Sequence, residues 1–125
     1  MMETREKTLT SDTCKEKLRA VQDTLDVLGG KWKIAIISAL SFGKLRFMEL
    51  QREVEGIGAK MLSKELRELE INGLISRHVC NTKPITVEYE LSVYGKTLQN
   101  IINEMINWGI NHRERIKEQC HEQST

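Results

Sequence analysis

Apolar residues recur every three or four positions in the first half of the chain, a spacing that indicates successive amphipathic helices. We predict the first helix over residues 13–28, the second over 31–41 and the third over 46–54. The glycine pair Gly29-Gly30 follows the first segment, as expected where a chain leaves a helix. The second segment is apolar on most sides, so we expect this helix to lie centrally in the core.

A fourth helix is predicted over residues 59–72. It ends at Asn72-Gly73, two residues that tolerate the left-handed conformation common at helix ends. Four apolar side chains form its predicted buried stripe: Met61, Leu62, Leu66 and Leu69. The pattern then changes to the alternation of strands over 75–81 and 86–91, with Thr82-Lys83-Pro84 as the hairpin loop between them. A last helix is predicted over 93–118.

The order of these elements defines the predicted fold. The second, third and fourth helices followed by a hairpin form a helix-turn-helix with a β wing. The fold class is therefore mainly α with a small β hairpin (α+β), and the first and last helices are additions to the winged helix-turn-helix. A chain of 125 residues suffices for one domain with its own core. We place this domain at residues 13–119 and predict disordered tails at 1–12 and 120–125.

Charge is unevenly distributed along the chain, although the net charge is only +1. Residues 31–67 contain eight Lys and Arg against four Asp and Glu. A local excess of positive charge suits a phosphate-binding surface. An ordinary solvated surface that happens to be basic explains the same distribution, so charge alone leaves both interpretations open.

Composition and motifs argue against several other classes of protein. No segment approaches the roughly 18 consecutive apolar residues of a membrane span, and the polar N-terminus lacks a signal-peptide stretch, so we expect a cytoplasmic protein. Cys14, Cys80 and Cys120 are far apart and form no disulfide or metal-ligand pattern with the histidines. The chain also has no nucleophile elbow and no glycine-rich phosphate loop. We therefore expect no metal, no cofactor and no enzymatic activity.

The fourth helix carries the strongest candidate for a DNA-binding surface. Four polar side chains are spaced i, i+3, i+4 and i+7, and therefore lie on one face: Lys60, Ser63, Lys64 and Arg67. Lys and Arg bind guanine edges or phosphates, and Ser binds either. The small Ala59 at the start of the helix allows close approach to DNA. Because Glu65, Glu68 and Glu70 follow on the same helix, an ordinary solvated face is the alternative.

Further candidates for contacts with the DNA backbone lie outside this helix. Lys83 is at the tip of the predicted wing, where a phosphate contact is expected. Arg46 begins the third helix and is a candidate for the edge of the interface. Lys31, Lys33 and Lys44 are candidates of the same kind. For each of these residues, an ordinary solvated charge is the alternative.

Several motifs resemble those of the HxlR family of winged-helix regulators. They are LDVLGGKWK at 25–33, GIGAKMLSKELRELE at 56–70, NGLI at 72–75 and VEYELS at 87–92, followed by Tyr94-Gly95. The likeness extends from about Leu25 to Trp108. It implies a winged helix-turn-helix protein that binds operator DNA and represses or activates nearby genes.

The resemblance also implies a homodimer paired through the first and last helices, with Leu18 and Val21 as interface residues of the first helix. The last helix supports this pairing independently, because it has more apolar surface than the core of one small domain needs: Leu98, Ile101, Ile102, Met105, Ile106, Trp108 and Ile110. A last helix packed only on its own domain is the alternative. A two-fold dimer would present two recognition helices, so we expect an inverted-repeat operator.

One departure from the family concerns a cysteine. Many members carry Cys-Pro shortly before the glycine pair, and in some of them this thiol senses oxidants or electrophiles. This chain has Arg19-Ala20 at that place. Cys14 lies more than a helical turn upstream and is the remaining candidate for a redox sensor. Because Lys15 follows it and no neighbouring pattern clearly depresses its pKa, we expect oxidant to have little effect on DNA binding.

Two hypotheses for function use this same fold. The first is a sequence-specific DNA-binding transcription regulator that acts as a homodimer on double-stranded DNA. The second is a winged-helix module that binds other proteins and does not bind DNA. They differ in one measurable property, because binding to duplex DNA through lysine and arginine weakens steeply as the salt concentration rises.

Overall fold

The structure is a computed structural model that describes residues 11–124, with side-chain environments from 13 to 120. Helices form most of this part of the chain, and three short strands form one sheet. The elements in chain order are α1 (Ser11–Leu28), α2 (Lys33–Leu40), β1 (Leu45–Arg46), α3 (Phe47–Glu53), α4 (Ala59–Ile71), β2 (Ile75–Cys80), β3 (Thr86–Leu91), α5 (Val93–Lys96) and α6 (Gln99–Ser124).

Both limits of the predicted domain, residues 13 and 119, lie inside helices. Helix α1 begins at Ser11 and α6 continues to Ser124, so residues 11–12 and 120–124 are helical where disordered tails were predicted. The C-terminal part of α6 is rich in Lys, Arg, Glu and Gln, which favour a helix without an apolar stripe to reveal it. The remaining tail predictions, for residues 1–10 and 125, fall outside the described residues.

A three-stranded antiparallel sheet, in the order β1-β3-β2, is present where a two-stranded hairpin was predicted. The additional strand, β1, contains only Leu45 and Arg46, which is too short for the alternation that reveals a strand. Arg46 pairs with Glu88 of β3, and its backbone N–H donates a hydrogen bond to Glu49 Oε1 at 2.9 Å, which closes the first turn of α3. The third helix therefore begins at Phe47.

The core lies between α2, α3, α4 and the sheet. Its largest fully buried side chains are Ile36, Ile37, Leu50, Leu62, Leu66, Leu69 and Leu74. The predicted central position of the second helix is confirmed, since Ile36 and Ile37 are both inaccessible to solvent. The predicted stripe of α4 is confirmed for its three leucines but wrong for Met61, which is 39% exposed. One residue turns an α-helix by about 100°, so Met61 points away from the face that buries Leu62.

The predicted last helix is divided into the short α5 and the long α6, separated by Thr97 and Leu98. A serine anchors α5 to the turn that follows α4. The Ser92 hydroxyl accepts a hydrogen bond from the Gly95 N–H at 2.9 Å and donates one to the Gly73 carbonyl oxygen at 2.6 Å. The start of α5 is thereby held against the end of the predicted recognition helix.

Candidate DNA interface

Helix α4 has defined ends that set its position against the rest of the domain. Its N-cap residue, Gly58, has an extended backbone, and the chain leaves the helix through Gly73, whose φ of +74° is in the left-handed region. The Leu74 N–H donates to the Leu69 carbonyl oxygen at 3.0 Å, as expected where a left-handed residue closes a helix. This confirms the predicted stop at Asn72-Gly73. The helix between these ends has 13 residues, from Ala59 to Ile71.

The outward face of α4 is polar and open to solvent. The four residues predicted to share this face are all exposed, as is Ala59 at the start of the helix: Lys60, Ser63, Lys64 and Arg67. Among the described residues, the three cations of this face form no ion pair. Free cations on one face of an exposed helix are available to phosphates and to the acceptor atoms of base edges.

The acidic residues of α4 do not neutralise this face, because two of them point towards α2. Lys33 of α2 lies between Glu65 and Glu68, with Nζ–Oε2 distances of 2.7 Å and 2.5 Å. The side chains of Lys33 and Glu65 are each only 10% exposed. The hypothesis that Lys33 contacts the DNA backbone is therefore wrong. This lysine fastens the candidate recognition helix to the core helix.

The ion pairs shift the pKa values of Lys33 and Glu68. Burial acts to lower the pKa of Lys33, but the hydrogen bonds and charges of Glu65 and Glu68 outweigh burial and raise that pKa above its ordinary value of 10.5. The hydrogen bond and charge of Lys33 lower the pKa of Glu68 below its ordinary value of 4.5, and Lys64 adds a smaller contribution. Lys33 and Glu68 are therefore both charged near neutral pH.

A polar cleft of about 380 Å³ separates α4 from the sheet. Its lining residues are Ser63, Leu66, Arg67, Glu70, Arg77 and Tyr89. The sequence analysis did not identify Arg77 as a candidate for the interface. The strand alternation contains a signal for it, since Arg77 is two residues from the buried Ile75 and thus lies on the core side of β2.

Three of the other predicted backbone contacts are exposed to solvent: Lys83, Arg46 and Lys44. Lys83 is exposed in the loop between β2 and β3, where Thr82 Oγ1 donates to the Pro84 carbonyl oxygen at 2.8 Å. Arg46 is exposed on β1. Lys44 is also exposed but lies 4.0 Å from Glu88, a separation at which solvent screens the charges strongly. The structure therefore leaves Lys83, Arg46 and Lys44 accessible as candidates.

The predicted dimer residues divide into exposed and buried groups. Five of them are exposed: Leu18, Val21, Met105, Ile106 and Trp108. Ile102, in contrast, is only 4% exposed and belongs to the core of its own domain, and Leu98 packs partly against that core. The prediction that Ile102 lies at an interface is therefore wrong, because the Ile102 side chain packs in the hydrophobic core of its own domain.

An apolar cleft of about 500 Å³ lies between α1 and α6. Its walls include Val21 and Leu25 of α1 and Ile101 and Met105 of α6, all of which have large exposed surfaces. Isolated exposed apolar residues are common, but a continuous apolar cleft formed by two helices is typical of a contact surface.

The cysteines are the remaining candidates for reactive side chains. Cys14 is an exposed free thiol on α1, and Cys80 and Cys120 are also unpaired. Within residues 11–124, no group of three or more histidine, cysteine or acidic side chains is placed to hold a metal ion. None of the helices in that range combines the length and apolar content needed to cross a membrane.

Comparison with known sequences identifies close relatives of the chain. A family profile described as HxlR-like helix-turn-helix matches residues 27–117. The chain is 48% identical over 97 residues to the HTH-type transcriptional regulator YtcD of Bacillus subtilis, which covers 78% of this chain and 77% of YtcD. An HTH-type transcriptional regulator of Methanothermobacter thermautotrophicus is 42% identical over 94 residues, covering 75% of this chain and 72% of the relative.

Solved structures show the same relationship. The crystal structure of the HTH-type transcriptional regulator ytcD has a TM-score of 0.72 at 49% identity, over 75% of this chain and 96% of that one. The redox regulator HypR in its reduced form has a TM-score of 0.74 at 40% identity, over 79% of this chain and 98% of that one. The mostly helical architecture, the small antiparallel sheet and these similarities agree with one another. The chain therefore belongs to the HxlR-like helix-turn-helix family of transcriptional regulators.

Proposed function

We propose that this protein is a sequence-specific transcription regulator that binds an inverted-repeat operator as a homodimer in the cytoplasm. The observation that carries the proposal is the outward face of α4, where Lys60, Lys64 and Arg67 are exposed and form no ion pair with any side chain that the structure describes. A helix of this kind enters the major groove with its N-terminal residues closest to the bases. Its cations displace counterions from the DNA when they bind, and this favourable release of ions makes the binding salt-dependent.

The positions along α4 assign different roles to its side chains. Lys60, Ser63 and Lys64 lie in the N-terminal half, next to the small Ala59, and are proposed to reach base edges. Lys83 in the wing loop and Arg46 on β1 are exposed and are proposed to bind phosphates, which fix the register of the protein on the duplex.

Homodimerisation is supported by the apolar cleft between α1 and α6. A second copy placed on this cleft by a two-fold axis would cover Val21, Leu25 and Met105 on both chains. A two-fold dimer presents two copies of α4, which suit half-sites about 34 Å apart or a multiple of that distance. The inverted repeat of the proposed operator follows from this symmetry.

A charged residue in the apolar cleft is expected to weaken dimerisation and operator binding together. We predict that Met105→Glu lowers operator affinity on the order of tenfold or more, because dimerisation would bury an unpaired carboxylate. The wild-type protein should sediment at twice the mass of one chain and should select an inverted repeat from genomic fragments. The variant should sediment closer to the mass of one chain. Ile102 does not serve for this test, since a charge there would disrupt the core.

Val93→Glu provides a matched control, because Val93 is exposed and apolar but does not line the cleft. It should leave both sedimentation and operator selection unchanged. A wild-type monomer that binds the operator tightly would refute the dimer. Failure of the wild type to bind any duplex would instead favour a winged helix that contacts only proteins.

Cys14 has no role in this proposal. It is exposed on α1 and stands at a different place from the cysteine of the family's redox-sensing members. DNA binding is therefore expected to be little affected by oxidant.

A further inference from the structure

The polar cleft between α4 and the sheet contains two arginines that approach from different elements. Arg67 is on α4, whereas Arg77 is on β2 and pairs across the sheet with Tyr89 of β3. Tyr89 is buried and is paired on its other side with Leu45 of β1. The strand that carries Arg77 is therefore held in place by a three-stranded sheet, and α4 is held by Lys33.

Of the residues that the structure describes, Glu70 contributes the one carboxylate that lines the cleft, and it balances only one of the two guanidinium charges. Neither Arg67 nor Arg77 forms an ion pair among the described residues, although Glu70 also lines the cleft. Two like charges on one cleft repel each other, and the repulsion is relieved when an anion lies between them. Arginine presents a planar fork of N–H donors that matches the oxygen atoms of a phosphate.

We propose that this cleft binds one phosphate group of the DNA backbone between Arg67 and Arg77. The inference rests on the proposed function and deepens it by assigning different tasks to the two halves of α4. Arg67 lies in the C-terminal half of the helix, beside the sheet, and binds backbone together with Arg77. Sequence preference then depends on Lys60, Ser63 and Lys64, whereas the arginine pair sets affinity and register.

The test compares Arg67→Gln, Arg77→Gln and the double variant on two duplexes of equal length, the selected operator and an unrelated sequence. Each single substitution should lower affinity on the order of tenfold on both duplexes, because a charge-assisted contact with a phosphate is lost. The ratio of the two affinities should stay unchanged. In the double variant, the slope of log affinity against log salt should become shallower by about 1.8, because the dimer loses one phosphate contact in each half-site. The double variant should lose less than the product of the single losses, since both arginines hold the same phosphate.

Arg113→Gln is the matched control, because Arg113 is exposed near the middle of α6 and does not line the cleft. Unfolding of every variant is measured alongside binding. If Arg77→Gln is unfolded at the assay temperature, Arg77→Lys takes its place and should show a smaller loss on both duplexes, since lysine keeps the charge but not the forked geometry.

Unchanged affinity of the folded Arg77 variant on both duplexes would overturn the inference while leaving the proposed function intact. A change in the ratio between operator and unrelated duplex would also overturn it, because Arg77 would then influence the choice of bases. Failure of the wild-type protein to bind either duplex would refute the proposed function itself, so the two failures are distinguishable.

Discussion

Replacement of Gly95 by alanine is expected to lower the free energy of unfolding by about 3 kcal/mol or more. A Cβ atom at this position would lie 2.0 Å from the carbonyl oxygen of Leu74 and 3.3 Å from Leu91 Cδ2. The contact is with backbone, which cannot rotate away as a side chain can. The helix α5 and the chain leaving α4 would have to move apart, although Ser92 ties them together through its hydrogen bonds.

Gly109→Ala is the matched control for this prediction. Gly109 is also helical, but a Cβ there would meet no atom within 4 Å. Alanine favours a helix over glycine by roughly 0.5–1 kcal/mol, so this variant should be slightly more stable than the wild type. Urea unfolding of the three proteins measures both differences. Equal stabilities of Gly95→Ala and the wild type would contradict the close approach of Gly95 to the Leu74 carbonyl oxygen.

Replacement of Lys33 by methionine is expected to cost about 3 kcal/mol of stability at neutral pH. The substitution removes the ammonium group from between Glu65 and Glu68 and leaves the buried Glu65 carboxylate without its partner. Lys31→Met is the control, since Lys31 is exposed and lies over the Trp32 ring at 4.7 Å, a contact worth about 1 kcal/mol or less. A loss for Lys33→Met no larger than that of the control would contradict the buried ion pair.

The stabilisation by Lys33 should also depend on pH in a defined way. Lys33 has a raised pKa, so its contribution is complete below 10.5 and is lost as pH rises through its value in the folded protein. Glu68 has a lowered pKa, so its contribution is complete above 4.5 and is lost as pH falls through its folded value. The stability difference between wild type and Lys33→Met should therefore be constant between these limits and shrink outside them. A difference that grows in acid would contradict these assignments.

Much of the fold is encoded in local periodicity, and those parts could be predicted from the sequence. The leucine stripe of α4 and the glycine stop at Gly73 are examples, because each depends on a few consecutive residues. The strand β1 could not be predicted, since its two residues pair with a segment some forty positions away. The break between α5 and α6 escaped prediction because it is a local change in hydrogen bonding, in which the Thr97 and Leu98 N–H groups donate to carbonyl oxygens three residues back, and neither residue is a helix breaker.

The candidate site divides in the same way. The shared face of Lys60, Lys64 and Arg67 follows from helical spacing, and the structure leaves all three exposed. Lys33 was misassigned to DNA because its two carboxylate partners are 32 and 35 residues away and only the tertiary fold brings them together. Arg77 was missed for the corresponding reason, since a strand residue becomes part of a cleft only when α4 packs beside it.

The affinity of the protein for its selected operator across a salt series tests the central claim most directly. The measurement compares the wild type with Lys60→Ala, Lys64→Ala and Arg67→Ala, and uses Lys15→Ala, an exposed lysine of α1, as control. Loss of a base contact should cost on the order of 1–3 kcal/mol and relax preference at one position of each half-site, whereas loss of a phosphate contact should flatten the salt slope. The control should match the wild type. Unchanged affinity and slope in all three α4 variants would mean that this helix does not bind DNA, which would contradict the proposed function.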